Sequence, residues 1–115
     1  MSIKRFKVGQ RMSQGVSYGD TVYLAGQVAD DPSQDVSGQT RQILTKIDGL
    51  LAEAGTDKSK LLSATIWITD MRTFDQMNKV WDTWVSPGNT PARATVEAKL
   101  ARADLLVEIA VIAGA

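Results

Sequence analysis

The chain has 115 residues, with 13 basic and 13 acidic side chains, no cysteine and no histidine. Those zeros exclude disulfides, thiolate nucleophiles, cysteine-ligated metals, Ser-His-Asp triads and histidine general bases. Chemistry here falls to carboxylates, Arg, Lys, Tyr, hydroxyls, backbone groups and water, and a formal charge of zero gives no footprint for nucleic acid or anionic lipid.

At 43% hydrophobic and 23% charged residues the composition is that of a globular protein. The length suits one domain over residues 1–115, burying roughly two-thirds of its unfolded surface. The start, MSIKRFKVGQ, lacks the apolar run of a signal peptide. No stretch approaches the roughly 20 apolar residues of a membrane span. A cytoplasmic protein with neither membrane nor nucleic acid as partner is the expectation.

Ile3 to Val8 reads as a first strand. Ser13 to Tyr18, Gly19-Asp20 and Thr21 to Ala25 read as a hairpin, with glycine relieving the turn. Asp30 to Gln34 is a loop, and its acids with Asp35 are expected to be a solvated turn rather than a cation site. Val36 to Ala54 is a helix, because Val36, Ile43, Leu44, Ile47, Leu50, Leu51 and Ala54 repeat at three and four. Gly55 stands where a left-handed C-cap belongs.

Leu61 to Thr69 is β-branched and aromatic, hence a strand. A second helix follows, with Thr73 and Gln76 at capping-box spacing and Phe74, Met77, Val80, Trp81, Trp84 and Val85 as its apolar stripe. Trp81 and Trp84 are expected in the core. Pro87-Gly88 stops the helix. Ala92 to Leu100 and Leu105 to Ala113 are the last strands, joined by a polar turn at Arg102 to Asp104. The order β-β-β-α-β-α-β-β predicts an α+β domain, a mixed sheet with two helices on one face.

Side chains of a strand alternate between faces. In the fifth strand Ala94, Val96, Ala98 and Leu100 form the apolar set that helices would cover. Arg93, Thr95, Glu97 and Lys99 should then point away from the helices. The sixth strand is apolar on both faces: Leu105, Val107, Ile109 and Val111 on one, Leu106, Ala110 and Ile112 on the other. Two helices cover one face only, so a second subunit is the simplest cover for the other. Trp67, opposite Ala64, Ile66 and Ile68 on its strand, points the same way.

Glu108 is the sole ionisable group in LLVEIAVIA. Two roles stay open to it: a structural partner of a backbone group, Lys or Arg, or a desolvated functional carboxylate. Arg93 lies after Pro91-Ala92 at the start of its strand, either on the surface or as a bidentate clamp for a small carboxylate or phosphate. Asn78 interrupts the stripe of the second helix, and a helix-to-loop hydrogen bond is its first expectation, a site-lining amide its second.

The segments LAGQV (24–28), QTRQIL (39–44), ATIWI (64–68), MNKVW (77–81), PARATV (91–96) and VEI (107–109) occur in an order and spacing that resemble the RidA (YjgF) family across nearly the whole chain. The resemblance implies a chorismate-mutase-like fold and a homotrimer with active sites between subunits. It implies a reactive imine/enamine deaminase that hydrolyses 2-aminoacrylate and its imine tautomer to a 2-keto acid and ammonia. By motif, Arg93 matches the family's carboxylate-binding Arg, Glu108 the Glu that positions or activates water, and Asn78 an Asn near the cleft. Where relatives carry a substrate-contacting Tyr this chain has Met12, and where archetypal members carry Cys it has Thr95.

The expected site is therefore Arg93 and Glu108 as the catalytic pair, with Thr95, Asn78, Trp67 and Met12 lining the substrate and no cofactor or metal. A non-enzymatic trimer binding 2-keto acids is the alternative. Ribonuclease or translation-inhibitor activity, which some relatives' labels raise, finds little support in a neutral chain without basic–aromatic interleaving.

Overall fold

The computed structural model describes residues 1–115. Its strands are β1 (Ile3–Val8), β2 (Ser13–Tyr18), β3 (Thr21–Leu24), β4 (Leu61–Ile68), β5 (Ala92–Glu97) and β6 (Val107–Gly114). Its helices are α1 (Val36–Glu53) and α2 (Phe74–Trp84), with 3-10 turns at Lys58–Lys60 and Met71–Thr73. This is the expected order. The last two strands are displaced at their ends: β5 stops at Glu97 rather than Leu100, and β6 starts at Val107 rather than Leu105.

The six strands make one mixed sheet in the order β1-β2-β3-β6-β4-β5. All neighbours pair antiparallel except β4 and β5, which run parallel. Although consecutive in sequence, β5 and β6 are separated by β4. The polar turn at Arg102 to Asp104 therefore belongs to a long connection over the sheet end, which leaves β1 and β5 as the two edges. The β2–β3 hairpin closes as expected, with Gly19 at φ 60 and Tyr18 opposite Thr21.

Helix α1 starts where Asp35 accepts a hydrogen bond from the Gly38 amide at 2.9 Å. It ends with Gly55 at φ 83 and the Thr56 amide donating to Leu51 O at 2.9 Å, a Schellman-type closure that β-carbon crowding disfavours in residues other than glycine. The capping box expected at Thr73 is not made. Thr73 Oγ1 donates to Asp70 O at 2.6 Å, and its side chain caps no helical amide. A 3-10 turn precedes α2, so the capping carboxylate moves upstream to Asp70, which accepts from the Arg72 amide at 2.9 Å.

Both helices pack on one face of the sheet. Val22, Leu24, Ala64, Ile66, Ile68, Val107, Ile109, Val111 and Ala113 supply the sheet side of a continuous core. The helices supply Ile43, Leu44, Ile47, Leu51, Met77 and Val80, and the Trp81–Trp84 pair joins them with ring centroids 5.3 Å apart. Burying such side chains contributes about 1.5–3 kcal/mol each before entropy is subtracted. Neither helix is long and apolar enough to cross a membrane.

On the other face no element of the chain covers the sheet. Tyr23 and Val96 are nearly half exposed there, and Trp67, Ala110 and Ile112 are partly exposed. The two-faced apolarity of β6 thus has one face in the core and one open, as its alternating burial records.

Candidate functional site between a sheet edge and an open sheet face

Cross-strand register fixes where each candidate side chain lies. In the parallel β4–β5 pair Ala64 stands opposite Arg93, Ile66 opposite Thr95 and Trp67 opposite Val96. Ala64 and Ile66 are buried under the helices, so Arg93 and Thr95 share that face. This reverses the expectation from strand parity. Because β5 is an edge strand beyond the helix layer's centre, its small and apolar residues Ala92, Ala94 and Val96 are the exposed ones. Its Arg and Thr turn toward α2.

The Arg93 guanidinium sits over two aromatic faces of α2, 5.3 Å from the Trp81 ring centroid and 5.9 Å from that of Phe74. Such cation–π contacts hold the planar group while leaving its N–H fork free. Arg93 belongs to none of the chain's three ion pairs, Lys46–Asp30, Arg72–Asp70 and Arg102–Asp104. Partial burial pulls its pKa down from the ordinary value, and the charge of Asp82 pulls it partly back up. A desolvated cation without a carboxylate partner gains most from an anion that enters the site.

Two polar atoms beside it are also unsatisfied. Asn78 lies between Phe74 and Trp81 on the α2 stripe that carries the Arg93 contacts. Its Oδ1 is buried without a hydrogen-bond partner, and so is Thr95 Oγ1. The helix-to-loop bond expected for Asn78 is not made. Buried acceptors without partners are costly, and their pairing on one face with an unpaired Arg marks a place prepared for something polar.

Glu108 lies on the open face, opposite Trp67 across the β4–β6 ladder. It is partly exposed, and no Lys or Arg of its own chain pairs with it. On its other flank stands Gly26. From Tyr23↔Ile112 to Gln27↔Ile109 the β3 side advances four residues against three on β6, so one residue is extra. That bulge brings Gly26 so close that a β-carbon there would collide with Glu108 Oε2 and stand 2.9 Å from Cδ. Gly26 was not among the sequence candidates. A glycine just past a strand signals a bulge or close backbone approach, which is the sign that would have found it.

Met12 is in the β1–β2 connection, 47% exposed, its carbonyl accepting from the Gly9 amide at 2.8 Å. It lies at the β1 edge, whereas Arg93 lies at the β5 edge. A single chain therefore brings together Arg93, Thr95 and Asn78, and separately Glu108, Trp67 and Gly26. It joins neither group to the other. No group of three or more Asp or Glu side chains gathers to hold a metal.

The Endoribonuclease L-PSP family model matches residues 2–115. A RutC family protein of Haemophilus ducreyi is 44% identical over 111 residues, covering 96% of this chain and 95% of its own. Among solved structures, NMB1025 of Neisseria meningitidis, a member of the YjgF family, superposes with a TM-score of 0.97 at 42% identity, covering 99% of this chain and 95% of that one. YyfA of Yersinia pestis, of the conserved Rid family, gives a TM-score of 0.86 at 35% identity over 94% and 90% of the two chains. With matches of this identity and extent, the chain belongs to the RidA/YjgF (RutC) family.

Proposed function

We propose that the protein is a reactive imine/enamine deaminase, hydrolysing 2-imino acids such as the imine tautomer of 2-aminoacrylate to a 2-keto acid and ammonia. The observation that carries this reading is the unpaired, ring-stacked Arg93 beside the orphaned Asn78 Oδ1 and Thr95 Oγ1. A guanidinium with a free fork binds a carboxylate through two parallel hydrogen bonds, which a 2-imino acid offers next to its reactive carbon. That contact fixes the carbon relative to a bound water and turns an encounter into a positioned attack.

Glu108 accepts a proton as water oxygen bonds to the imine carbon, giving a carbinolamine. That proton goes to the nitrogen, which completes the carbinolamine; Glu108 then takes the hydroxyl proton and passes it to the same nitrogen as the C–N bond breaks, so ammonia leaves and the carbonyl forms. Water supplies both the oxygen and the hydrogens, so no cofactor enters the balance. Because Arg93 and Glu108 lie on opposite faces of one chain's sheet, the reaction requires that a second copy supply one of them. A cytoplasmic homotrimer with sites between subunits fits this division and the open apolar face.

The test generates 2-aminoacrylate in situ and follows keto-acid release. Wild type accelerates release; Arg93→Ala raises KM by about 10- to 100-fold, the loss of a charge-assisted bidentate pair of about 1.5–3 kcal/mol. Glu108→Gln lowers kcat by about 100-fold or more with KM little changed. Wild-type release no faster than the uncatalysed rate sinks the proposal. If 2-keto acids bind tightly without any turnover, the non-enzymatic binding trimer replaces it.

A further inference from the structure

One cleft of the chain takes no part in the site above. It has a volume of about 410 Å³ and lies between α1 and the start of the β1–β2 hairpin. Its floor is a pair of glutamines. Gln27 is 3% exposed, and its Nε2 donates to Gln14 Oε1 at 2.8 Å and to Ala25 O at 3.1 Å. Those bonds lock the pair and leave Gln27 Oε1 and Gln14 Nε2 as its remaining acceptor and donor.

Charged side chains of both signs line the cleft. Lys46 also lines the cleft but is committed, donating to Val28 O at 2.8 Å and Asp30 Oδ1 at 2.9 Å. Lys7 and Glu53 line it too, and neither is in any of the chain's ion pairs. Lys7 holds a φ of 47, the only non-glycine residue in the left-handed region. Strand residues avoid that conformation, and here it occurs at a residue that lines the cleft.

Gly49 makes the opening. It sits inside α1, where glycine is the least favourable residue after proline. A β-carbon added there would meet nothing within 4 Å, so no packing within the chain requires its absence. What the glycine preserves is space. A free ammonium, a free carboxylate and two amides lining one cleft complement a ligand that carries both charges.

We infer that this cleft binds a free α-amino acid as its zwitterion, the ligand carboxylate on Lys7, the ligand ammonium on Glu53, and the Gln14–Gln27 amides beneath. The site is separate from the Arg93 and Glu108 constellation and does not rest on the deaminase reading.

The test records amide resonances of the isotope-labelled full chain while each standard L-amino acid is added to about 20 mM, enough to saturate a millimolar binder. At least one amino acid shifts Gly49, Leu50 and Glu53. Its decarboxylated amine and its deaminated acid bind about tenfold more weakly or worse, each having lost one charge-assisted contact. Gly49→Leu fills the cleft and abolishes the shifts while fold and keto-acid release stay at wild-type levels. Lys7→Gln and Glu53→Gln each weaken binding about tenfold. The inference is overturned if no amino acid shifts these resonances, if amine and acid bind as well as the parent, or if binding survives Gly49→Leu.

Discussion

Asp31, Asp57 and Asp70 each turn a carboxylate back onto the chain two residues ahead. They accept from the amides of Ser33 at 3.1 Å, Ser59 at 2.8 Å and Arg72 at 2.9 Å. Bonds from the Ser33 hydroxyl, the Ser59 hydroxyl and the Arg72 side chain, with those amides, hold all three below the ordinary aspartate value of 3.8. A folded-state value below the unfolded one gives stabilisation that is complete above about 3.8 and lost as pH falls through the folded values. With no histidine to titrate near neutrality, the urea midpoint should be flat between about pH 5.5 and 7 and fall below about pH 4. Replacing the three with Asn, which keeps an acceptor but no charge, should flatten the acid limb; an unchanged acid limb would remove these turns from the explanation. The sequence shows Asp-x-Ser and Asp-x-Arg, but nothing in those letters says which Asp folds back on its neighbour.

At the scale of elements, helix α1 was legible from its apolar period and its terminal glycine, and β6 from its two-faced apolarity. Less legible was what the polar residues on those elements hold. Gln39 is fully buried in α1. Its Nε2 donates to Pro32 O, Gln34 O and Asp104 O at 3.2, 3.0 and 3.0 Å, while its Oε1 accepts from the Leu106 amide at 2.9 Å. One side chain thereby fastens the loop before α1 to the connection before β6, residues 65 or more apart. Gln39→Leu strands three carbonyls and an amide, and should cost about 3 kcal/mol or more, read as a lower urea midpoint with an unchanged m-value. A loss under about 0.5 kcal/mol would mean that water satisfies those groups as well as the glutamine does. The same gap misplaced Arg93 and Thr95. Alternation says which residues share a face, but which face the helices cover depends on pairing, and β4 with its parallel register decides it.

Across the whole molecule, the sheet leaves an apolar strip running from Tyr23 through Ile112 and Ala110 to Trp67 and Val96, with Glu108 set into it. Exposed apolar area of that kind on a small domain marks an interface. The candidate site is cut along the same line, with Arg93 toward the helices at one edge and Glu108 on the open face. If a head-to-tail ring joins the edge of one copy to the open face of the next, each site takes Arg93 from one subunit and Glu108 from its neighbour. Complementation between impaired variants follows, assayed at substrate no higher than the wild-type KM. Arg93→Ala and Glu108→Gln chains, each slow alone under that condition, are unfolded together and refolded as mixed rings. A junction then works when its Arg comes from a Glu108→Gln chain and its Glu from an Arg93→Ala chain. Random assembly of equal amounts makes about one junction in four complete, so about a quarter of wild-type keto-acid release should return. Mixing the two already folded homo-oligomers restores none until subunits exchange. Release that stays at the parental level after co-refolding, with mixed rings verified by native mass spectrometry, would mean that the two residues do not meet across a subunit boundary.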